Sequence, residues 1–371
     1  MAATRERFNI VTEWKGSKIF EKAVHSKPQF GAVPMIGLSK KSCVFASVLF
    51  FLLGSTSMGV PEASVSGEKE ATVMIASGDL SVLFRDNSAS PDRLSGIQSL
   101  FNNKGTASFD AYDPDTRGAS AGMNFEHIIS GHRNPLNKFT PRHGRYALSQ
   151  PLDKNSIVLV RNRKDSPWDV SSTFFYRVTK PHYVDVEFRC KAHSPSLFGE
   201  RGYAIFFFAN YMNDVEEVPL NFLGVEHAGG PEKWIAAEAP KGHPDWNSGG
   251  TYRHLGAEPL EYDKDVEFRL NSWSYDYPRF TKPFYYGRAR SGMVLILMFN
   301  KTFSREDQIR FSLFKFKVPR HPRPAWDFQY VINRVERGRE YGFKGRLVWK
   351  RFISAQDCLM EYEKWRSENL Y

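Results

Sequence analysis

The run Met293-Val-Leu-Ile-Leu-Met-Phe299 is the most apolar stretch of the chain beyond residue 68. It shows no alternation of polar and apolar residues, which is typical of a strand that is covered on both faces. Tyr203-Ala-Ile-Phe-Phe-Phe-Ala209 has the same character. Residues 183–190 do alternate, so one face of that strand should contact water. These runs predict a sheet whose central strand includes residues 293–299.

Further stretches rich in Val, Ile, Phe, Tyr or Thr predict strands at 156–161, 172–178, 266–270, 309–318, 325–331 and 341–352, and a hairpin at 71–84. The alternation changes phase after Leu313, which predicts a β-bulge. Ser354 and Asp357 form a helix-capping pattern, and Tyr362 and Trp365 follow on one helical face. We therefore expect an all-β fold, a large two-sheet β-sandwich with one C-terminal helix.

The N-terminal part differs in character from the rest. Residues 1–34 have no clear periodicity and are interpreted as a poorly structured extension. In residues 35–66, two lysines precede an apolar run at 43–53, which is short of the about 20 residues that span a bilayer. This pattern predicts a signal peptide, or alternatively a membrane anchor. Residues 68–371 are then a single β-sandwich domain in a secreted, periplasmic or cell-envelope protein.

Composition excludes some function classes. The 371 residues carry a net charge of +10, but the basic residues are scattered among acidic ones, so we expect no nucleic-acid partner. Of the three cysteines, Cys190 and Cys358 could form one disulfide, although spacing alone does not establish it. No Cys-x-x-Cys or Cys/His metal spacing occurs, and we predict neither a metal nor another cofactor.

Candidate site residues concentrate in three segments between predicted strands. The central one, residues 227–254, is rich in Gly, Pro, His and Trp, and is interpreted as a long functional loop. Carboxylates and histidines suit proton transfer, whereas aromatic rings and arginines suit the faces and acidic groups of sugars. The predicted catalytic residues are His243, His254 and Glu226, and the predicted substrate-binding residues are His132, Arg142, His143, Trp234, Trp246, Tyr252, Tyr286 and Arg288.

Each of these residues also has a structural interpretation. A tyrosine or tryptophan between strands is often a packing residue whose polar tip is satisfied. An arginine more commonly forms a surface ion pair than a ligand clamp. The functional interpretation therefore requires that the three segments meet at one end of the sandwich.

Four segments carry a family resemblance: residues 124–132, 138–142, 283–288 and Pro324-Ala-Trp-Asp-Phe-Gln329. Together they resemble a family of bacterial secreted all-β proteins that has no assigned activity. The overall plan is also similar, at the level of fold, to the galactose-mutarotase-like supersandwich of sugar epimerases and polysaccharide lyases. This likeness implies a supersandwich in preference to a jelly roll, and a carbohydrate ligand. The catalytic motif of that group is not matched here.

The leading functional hypothesis is a carbohydrate-active protein that binds a sugar or acidic polysaccharide in a loop-lined cleft. Hydrolase, lyase and epimerase activities all remain open. The alternative is a non-catalytic glycan-binding or envelope-structural protein, in which the same aromatic residues form a binding platform. The sequence does not decide whether the protein is an enzyme.

Overall fold

A computed structural model describes residues 71–89, 94–105, 109–112, 122–130, 144–149, 153–238, 248–260, 276–316 and 323–368. All of these belong to one compact unit that comprises residues 64–371. The predicted segments 1–34 and 35–66 lie outside the described residues, so their assignments stay predictions. Within the described ranges, no helix has both the length and the apolar character needed to cross a membrane.

The described residues form eighteen strands in two sheets. The strands are β1 (Thr72–Ser77), β2 (Leu80–Arg85), β3 (Gly96–Asn102), β4 (Met123–Ser130), β5 (Ala147–Ser149), β6 (Ser156–Arg161), β7 (Val170–Thr179), β8 (Tyr183–Ala192), β9 (Ala204–Asn210), β10 (Leu220–Val225), β11 (Lys233–Ala237), β12 (Ser248–Tyr252), β13 (Arg279–Phe280), β14 (Phe284–Ala289), β15 (Met293–Thr302), β16 (Gln308–Phe316), β17 (Arg323–Ile332) and β18 (Glu340–Arg351).

The eight-stranded sheet has the order β1-β2-β3-β4-β9-β17-β16-β12. The ten-stranded sheet has the order β11-β10-β14-β15-β18-β8-β7-β6-β5, and β13 pairs with β10 beside this path. Neighbouring strands run antiparallel, as β15 does with β18 and β16 with β17. The predicted two-sheet sandwich is therefore confirmed.

The core lies between the sheets and is rich in phenylalanine. The ring of Phe208 on β9 stacks on Phe328 of the same sheet at a centroid distance of 4.8 Å. It also meets the edge of Phe188 from the opposite sheet at 5.1 Å. Strand β15 supplies this core with Leu295 and Leu297, while its alternate residues face the other way. Both faces of β15 are thus covered, as the apolar run predicts.

Helix α1 (Ala355–Glu368) covers the outer face of the ten-stranded sheet. The Ser354 hydroxyl accepts a hydrogen bond from the Asp357 backbone N–H at 3.1 Å, which confirms the predicted N-cap. Tyr362 and Trp365 are buried against the sheet, so the predicted apolar face is confirmed. The amphipathic pattern of the helix is therefore explained by packing against β14, β15 and β18.

An ionic network holds the same helix to the sheet. Glu361 lies 2.5 Å from Lys350 Nζ and accepts a hydrogen bond from the Tyr183 hydroxyl at 2.7 Å. Burial opposes ionisation of Glu361, but hydrogen bonds from His182, Lys350 and Tyr183 outweigh it and lower its pKa to about 2. The helix therefore docks through a charged contact as well as through its apolar face.

Two local predictions were wrong. Residues 308–316 of β16 pair with β17 in unbroken register, so no bulge follows Leu313 in this strand. Residues 227–254 are not one long loop, because they contain β11 and β12. Gly249 serves close strand packing instead, since a Cβ atom there would collide with the carbonyl oxygen of Leu313.

The two described cysteines are both buried and free. Cys190 belongs to the core between the sheets, whereas Cys358 lies under the helix on the outer face of the ten-stranded sheet. The sheet separates them, so they form no disulfide with each other.

Candidate functional site on the outer face of the eight-stranded sheet

Five of the eleven predicted site residues lie outside the described residues. These are His132, Arg142, His143, His243 and Trp246. The other six are distributed over separate parts of the sandwich.

Tyr252 points into the core between the sheets. Only 2% of its surface is exposed, and its ring lies 5.4 Å from that of Phe222. Its hydroxyl donates a hydrogen bond to the carbonyl oxygen of Glu238. The polar tip is satisfied by the protein itself, which is the structural interpretation for a tyrosine between strands.

Trp234, Tyr286 and Arg288 lie on the outer face of the ten-stranded sheet, beside the helix. The rings of Trp234 and Tyr286 meet at 5.6 Å, edge to face. The Arg288 guanidinium lies over the ring of Phe352 at 4.9 Å and forms ion pairs with Glu216 and Glu217. Burial raises the pKa of Tyr286 to about 12, so its hydroxyl stays protonated at neutral pH.

The two described residues predicted to transfer protons are also apart from that group. Glu226 is exposed, and its carboxylate pairs with Lys233 Nζ at 2.8 Å. His254 lines a cavity of about 580 Å³ at the end of the sandwich. Burial lowers the pKa of His254, which keeps the ring neutral at physiological pH.

Backbone groups engage both ring nitrogens of His254. Nδ1 accepts a hydrogen bond from the Gly256 N–H at 3.0 Å, and Nε2 donates to the Thr281 carbonyl at 3.2 Å. A proton transfer through this ring must first break one of these bonds. His254 is therefore held as a structural side chain of the cavity wall.

The structure does not bring the six described residues into one cleft. Tyr286 and Arg288 face the helix, whereas Tyr252 and His254 lie on the side of the ten-stranded sheet that carries Phe280 and the core. Their proposed roles in catalysis and substrate binding stay predictions. A different set of residues forms a buried polar region.

This region, the polar row, lies on the outer face of the eight-stranded sheet. It comprises Glu126, Thr251, Arg310, Ser312 and Gln329, and each has at most 2% of its surface exposed. On β16 and β17 the intervening residues belong to the core between the sheets, so the row residues must point away from it.

Cross-strand register brings the row together. Arg310 is directly opposite Gln329, and Thr251 is directly opposite Ser312. Gln329 Nε2 donates to Thr251 Oγ1 at 3.5 Å, and the two hydroxyls of Thr251 and Ser312 lie 3.4 Å apart. Gln329 Oε1 is buried and has no hydrogen-bond partner among the described residues. An amide oxygen in this state keeps its capacity to accept a hydrogen bond.

Charged side chains lie beside the amide of Gln329 and the hydroxyls of Thr251 and Ser312. Arg310 Nη2 donates to Gln308 Oε1 at 3.3 Å, and the Arg253 guanidinium, also buried, pairs with Asp276 at 2.7 Å. At β4, the Tyr211 hydroxyl donates to the buried carboxylate of Glu126. A phenol and a carboxylate in hydrogen-bond contact are a pair that can pass a proton.

Burial of polar side chains on the outer face of a sheet lowers the stability of the folded protein unless their hydrogen bonds are complete. A buried polar group without a full set of hydrogen bonds destabilises a protein by about 1–3 kcal/mol. Apolar side chains also lie on this face, including Ile205, Phe207 and Val331. The region therefore combines apolar surface with converging donors and acceptors, which is the usual composition of a ligand site.

The sequence contained part of this signal. Residues 309–313 alternate, which puts Arg310 and Ser312 on the strand face opposite Phe311, and Gln329 ends the Pro-Ala-Trp-Asp-Phe-Gln motif. What sequence reasoning missed is that the polar face is buried. Within the described residues, no group of three or more His, Cys, Asp or Glu side chains is arranged to hold a metal ion.

Comparisons with known proteins concern the fold. No protein-family profile matches the chain, and no curated protein matches it. Similar solved structures include a candidate aldose 1-epimerase from Escherichia coli K12, with TM-score 0.45 and 8% identity over 76% of this chain and 100% of that chain. An aldose epimerase homologue from C. elegans has TM-score 0.41 and 11% identity over 77% and 100%.

A heparan sulfate lyase from Pedobacter heparinus is similar with TM-score 0.37 and 9% identity, over 77% of this chain and 36% of the lyase. The likeness to the bacterial family with the Pro-Ala-Trp-Asp-Phe-Gln motif stays a prediction. The distant likeness to galactose-mutarotase-like aldose epimerases is confirmed at the level of fold alone, so no residue role passes from those proteins to this chain.

Proposed function

We propose that the protein binds an acidic carbohydrate at the polar row, and that a side chain of the row transfers a proton in a reaction of the bound carbohydrate. The observation that carries this proposal is the burial of five polar side chains on the outer face of a sheet. Thr251, Ser312 and Gln329 supply the mixed donors and acceptors that sugar hydroxyls require. Apolar surface from Phe207 and its neighbours suits the C–H faces of a sugar ring.

The buried arginines of this face are the reason for proposing that the carbohydrate carries an acidic group. A guanidinium presents a planar fork of N–H donors that matches a carboxylate or sulfate. Arg310 is fully buried beside Gln329, where the low local dielectric strengthens such a contact. A uronate or a sulfated sugar therefore fits the row better than a neutral sugar.

Glu126 is the candidate proton-transfer group, with Tyr211 as its hydrogen-bond partner. In this role the carboxylate takes a proton from the sugar and the phenol holds the carboxylate in place. Elimination and epimerisation include such a step, whereas in hydrolysis the carboxylate would take the proton from the attacking water instead.

The test uses the full chain in a binding and degradation screen of uronate-containing and sulfated polysaccharides. Arg310→Gln is expected to weaken binding by about tenfold or more, because the charged hydrogen bonds are lost. Arg337→Gln, at an exposed arginine, is the matched control and should bind as the unmodified chain does. Unchanged binding by Arg310→Gln would refute the proposed acidic subsite.

Two further variants keep the test decisive. Thr251→Val keeps a β-branched side chain of similar size, so a loss of binding in a folded Thr251→Val chain reports the hydroxyl and its contacts with Gln329 and Ser312. Glu126→Gln is expected to abolish turnover and retain affinity. If the unmodified chain binds glycans and Glu126→Gln has no effect on any reaction, the protein is a binding module and the catalytic part of the proposal fails.

Export across a membrane is part of the same proposal. Its support is the pair of lysines that precede the apolar run at residues 43–53. Fractionation of cells that express a C-terminally tagged chain is expected to place a shortened protein outside the cytoplasm. Full-length protein in the membrane fraction would indicate an anchor instead, and full-length protein in the cytoplasm would contradict export.

A further inference from the structure

None of the five row residues lines the cavity at the end of the sandwich, although the two regions meet at Gln308, a wall residue that accepts a hydrogen bond from Arg310. The cavity lies where β13, the end of β15 and the start of β16 meet. Its wall includes His254, Glu258, Phe280, Phe299, Asp307 and Asn333. Its volume of about 580 Å³ lies within the range of about 300–1,000 Å³ that is common for small-molecule sites.

Asp307 is the unusual group in this wall. It is 8% exposed, and its Oδ2 accepts a hydrogen bond from the Tyr330 hydroxyl. No lysine, arginine or histidine of the described residues forms an ion pair with it. The Arg339 guanidinium is near enough to affect its charge, but Arg339 pairs with Glu336 at 3.0 Å. Asp307 is therefore a buried carboxylate without a cationic partner.

A buried carboxylate of this kind lowers the stability of the folded protein when it is ionised. Burial raises the pKa of Asp307 to about 6, so most Asp307 side chains still ionise at pH 7. The titratable groups that affect Asp307 are Tyr330, Arg339 and the exposed Glu306. A cation brought by a ligand would add an ion pair to the hydrogen bonds from Tyr330 and Asn333 and to the attraction of Arg339, which already favour the ionised carboxylate.

The rest of the wall favours the same kind of ligand. Glu258, Glu306 and Asp307 contribute three carboxylates, and Arg305 contributes one positive charge. His254 adds none, because burial lowers its pKa and its Nδ1 accepts the Gly256 N–H. The wall is thus net negative and disfavours anions.

We propose that this cavity binds a small ligand with a protonated primary amine, and that Asp307 is the counter-ion of that amine. The rings of Phe280 and Phe299 supply apolar surface for the body of the ligand. Asn300 and Asn333 supply amides for any hydroxyl groups on it. The amine belongs either to an amino sugar or to an alkylamine, and both share this chemistry. The inference is independent of the function proposed for the polar row.

Calorimetric titration of the full chain at pH 7 tests the proposal with four probes. D-glucosamine is compared with D-glucose, and n-butylamine with n-butanol, so each amine has a neutral counterpart. At least one amine is expected to bind about tenfold or more tightly than its counterpart, because a charge-assisted hydrogen bond to a buried carboxylate is gained. Preference for glucosamine identifies an amino sugar, and preference for butylamine identifies an alkylamine.

Asp307→Asn retains the shape of the side chain and is expected to remove the preference for the amine. Glu363→Gln, on the exposed face of the helix, is the control and should leave it unchanged. If Asp307→Asn does not fold, the unmodified chain still gives an answer. Its affinity for the amine should fall as pH decreases from 7 to 5 and Asp307 takes up a proton. Equal binding of amine and neutral probes, or no binding of either amine, would overturn the proposal.

Discussion

Replacing Phe208 with alanine is expected to lower the free energy of unfolding by about 4 kcal/mol. Phe208 is fully buried, and its ring contacts rings from both sheets, including Phe328 at 4.8 Å and Phe188 at 5.1 Å. The substitution removes this contact area and leaves a cavity at the junction of the two sheets. The surrounding strands are paired on both sides, so they cannot close the cavity by moving together.

Urea unfolding monitored by circular dichroism measures this loss. Met74→Ala is the control, because Met74 is 54% exposed on the edge strand β1. Its substitution should cost less than about 1 kcal/mol. Phe208→Leu, which fills part of the space, should give an intermediate value. Similar losses for Phe208→Ala and Met74→Ala would show that the aromatic core does not dominate stability.

Asp307→Asn is expected to change the pH dependence of stability by up to about 3 kcal/mol between pH 4 and pH 7. Folding raises the pKa of Asp307 from 3.8 to about 6, chiefly because the carboxyl is buried. The folded protein therefore holds this proton more tightly than the unfolded chain. The resulting stabilisation is complete below about pH 4 and is lost as pH rises through about 6.

The measurement is urea unfolding of both proteins at several pH values from 4 to 8. Asparagine keeps an acceptor for the Tyr330 hydroxyl but cannot ionise, so the variant should lose less stability as pH increases. Glu363→Gln, on the exposed face of the helix and not among the groups that affect Asp307, should retain the pH dependence of the unmodified chain. Parallel curves for Asp307→Asn and the unmodified chain would show that Asp307 ionises normally in the folded protein.

Much of the fold was predictable because the signals for strands and helix are local. The run at 293–299 is apolar throughout since β15 is covered on both faces. The cap at Ser354 and the apolar face of Tyr362 and Trp365 lie within three turns of one helix. Such patterns need no knowledge of distant residues.

The candidate site was less accessible to sequence reasoning. Tyr285 and Tyr286 are adjacent in β14, yet one ring points into the core and the other toward the helix. Composition drew attention to the tyrosine-rich segment but could not indicate which face each residue occupies. The residues of the polar row come from strands that are distant in sequence, such as β4 and β16, and only strand order makes them neighbours.

The sequence by itself determined the two-sheet architecture, the central strand and the terminal helix, because backbone pleating and helical periodicity assign each residue a face locally. Only the tertiary structure decided which of the polar faces are buried. Arg310 and Gln329 are polar residues on the outer side of a sheet and still have no exposed surface. Asp307 forms no ion pair with a described residue because of what surrounds it in space. Burial and charge compensation depend on contacts between distant segments, so they emerge only when the strands are assembled.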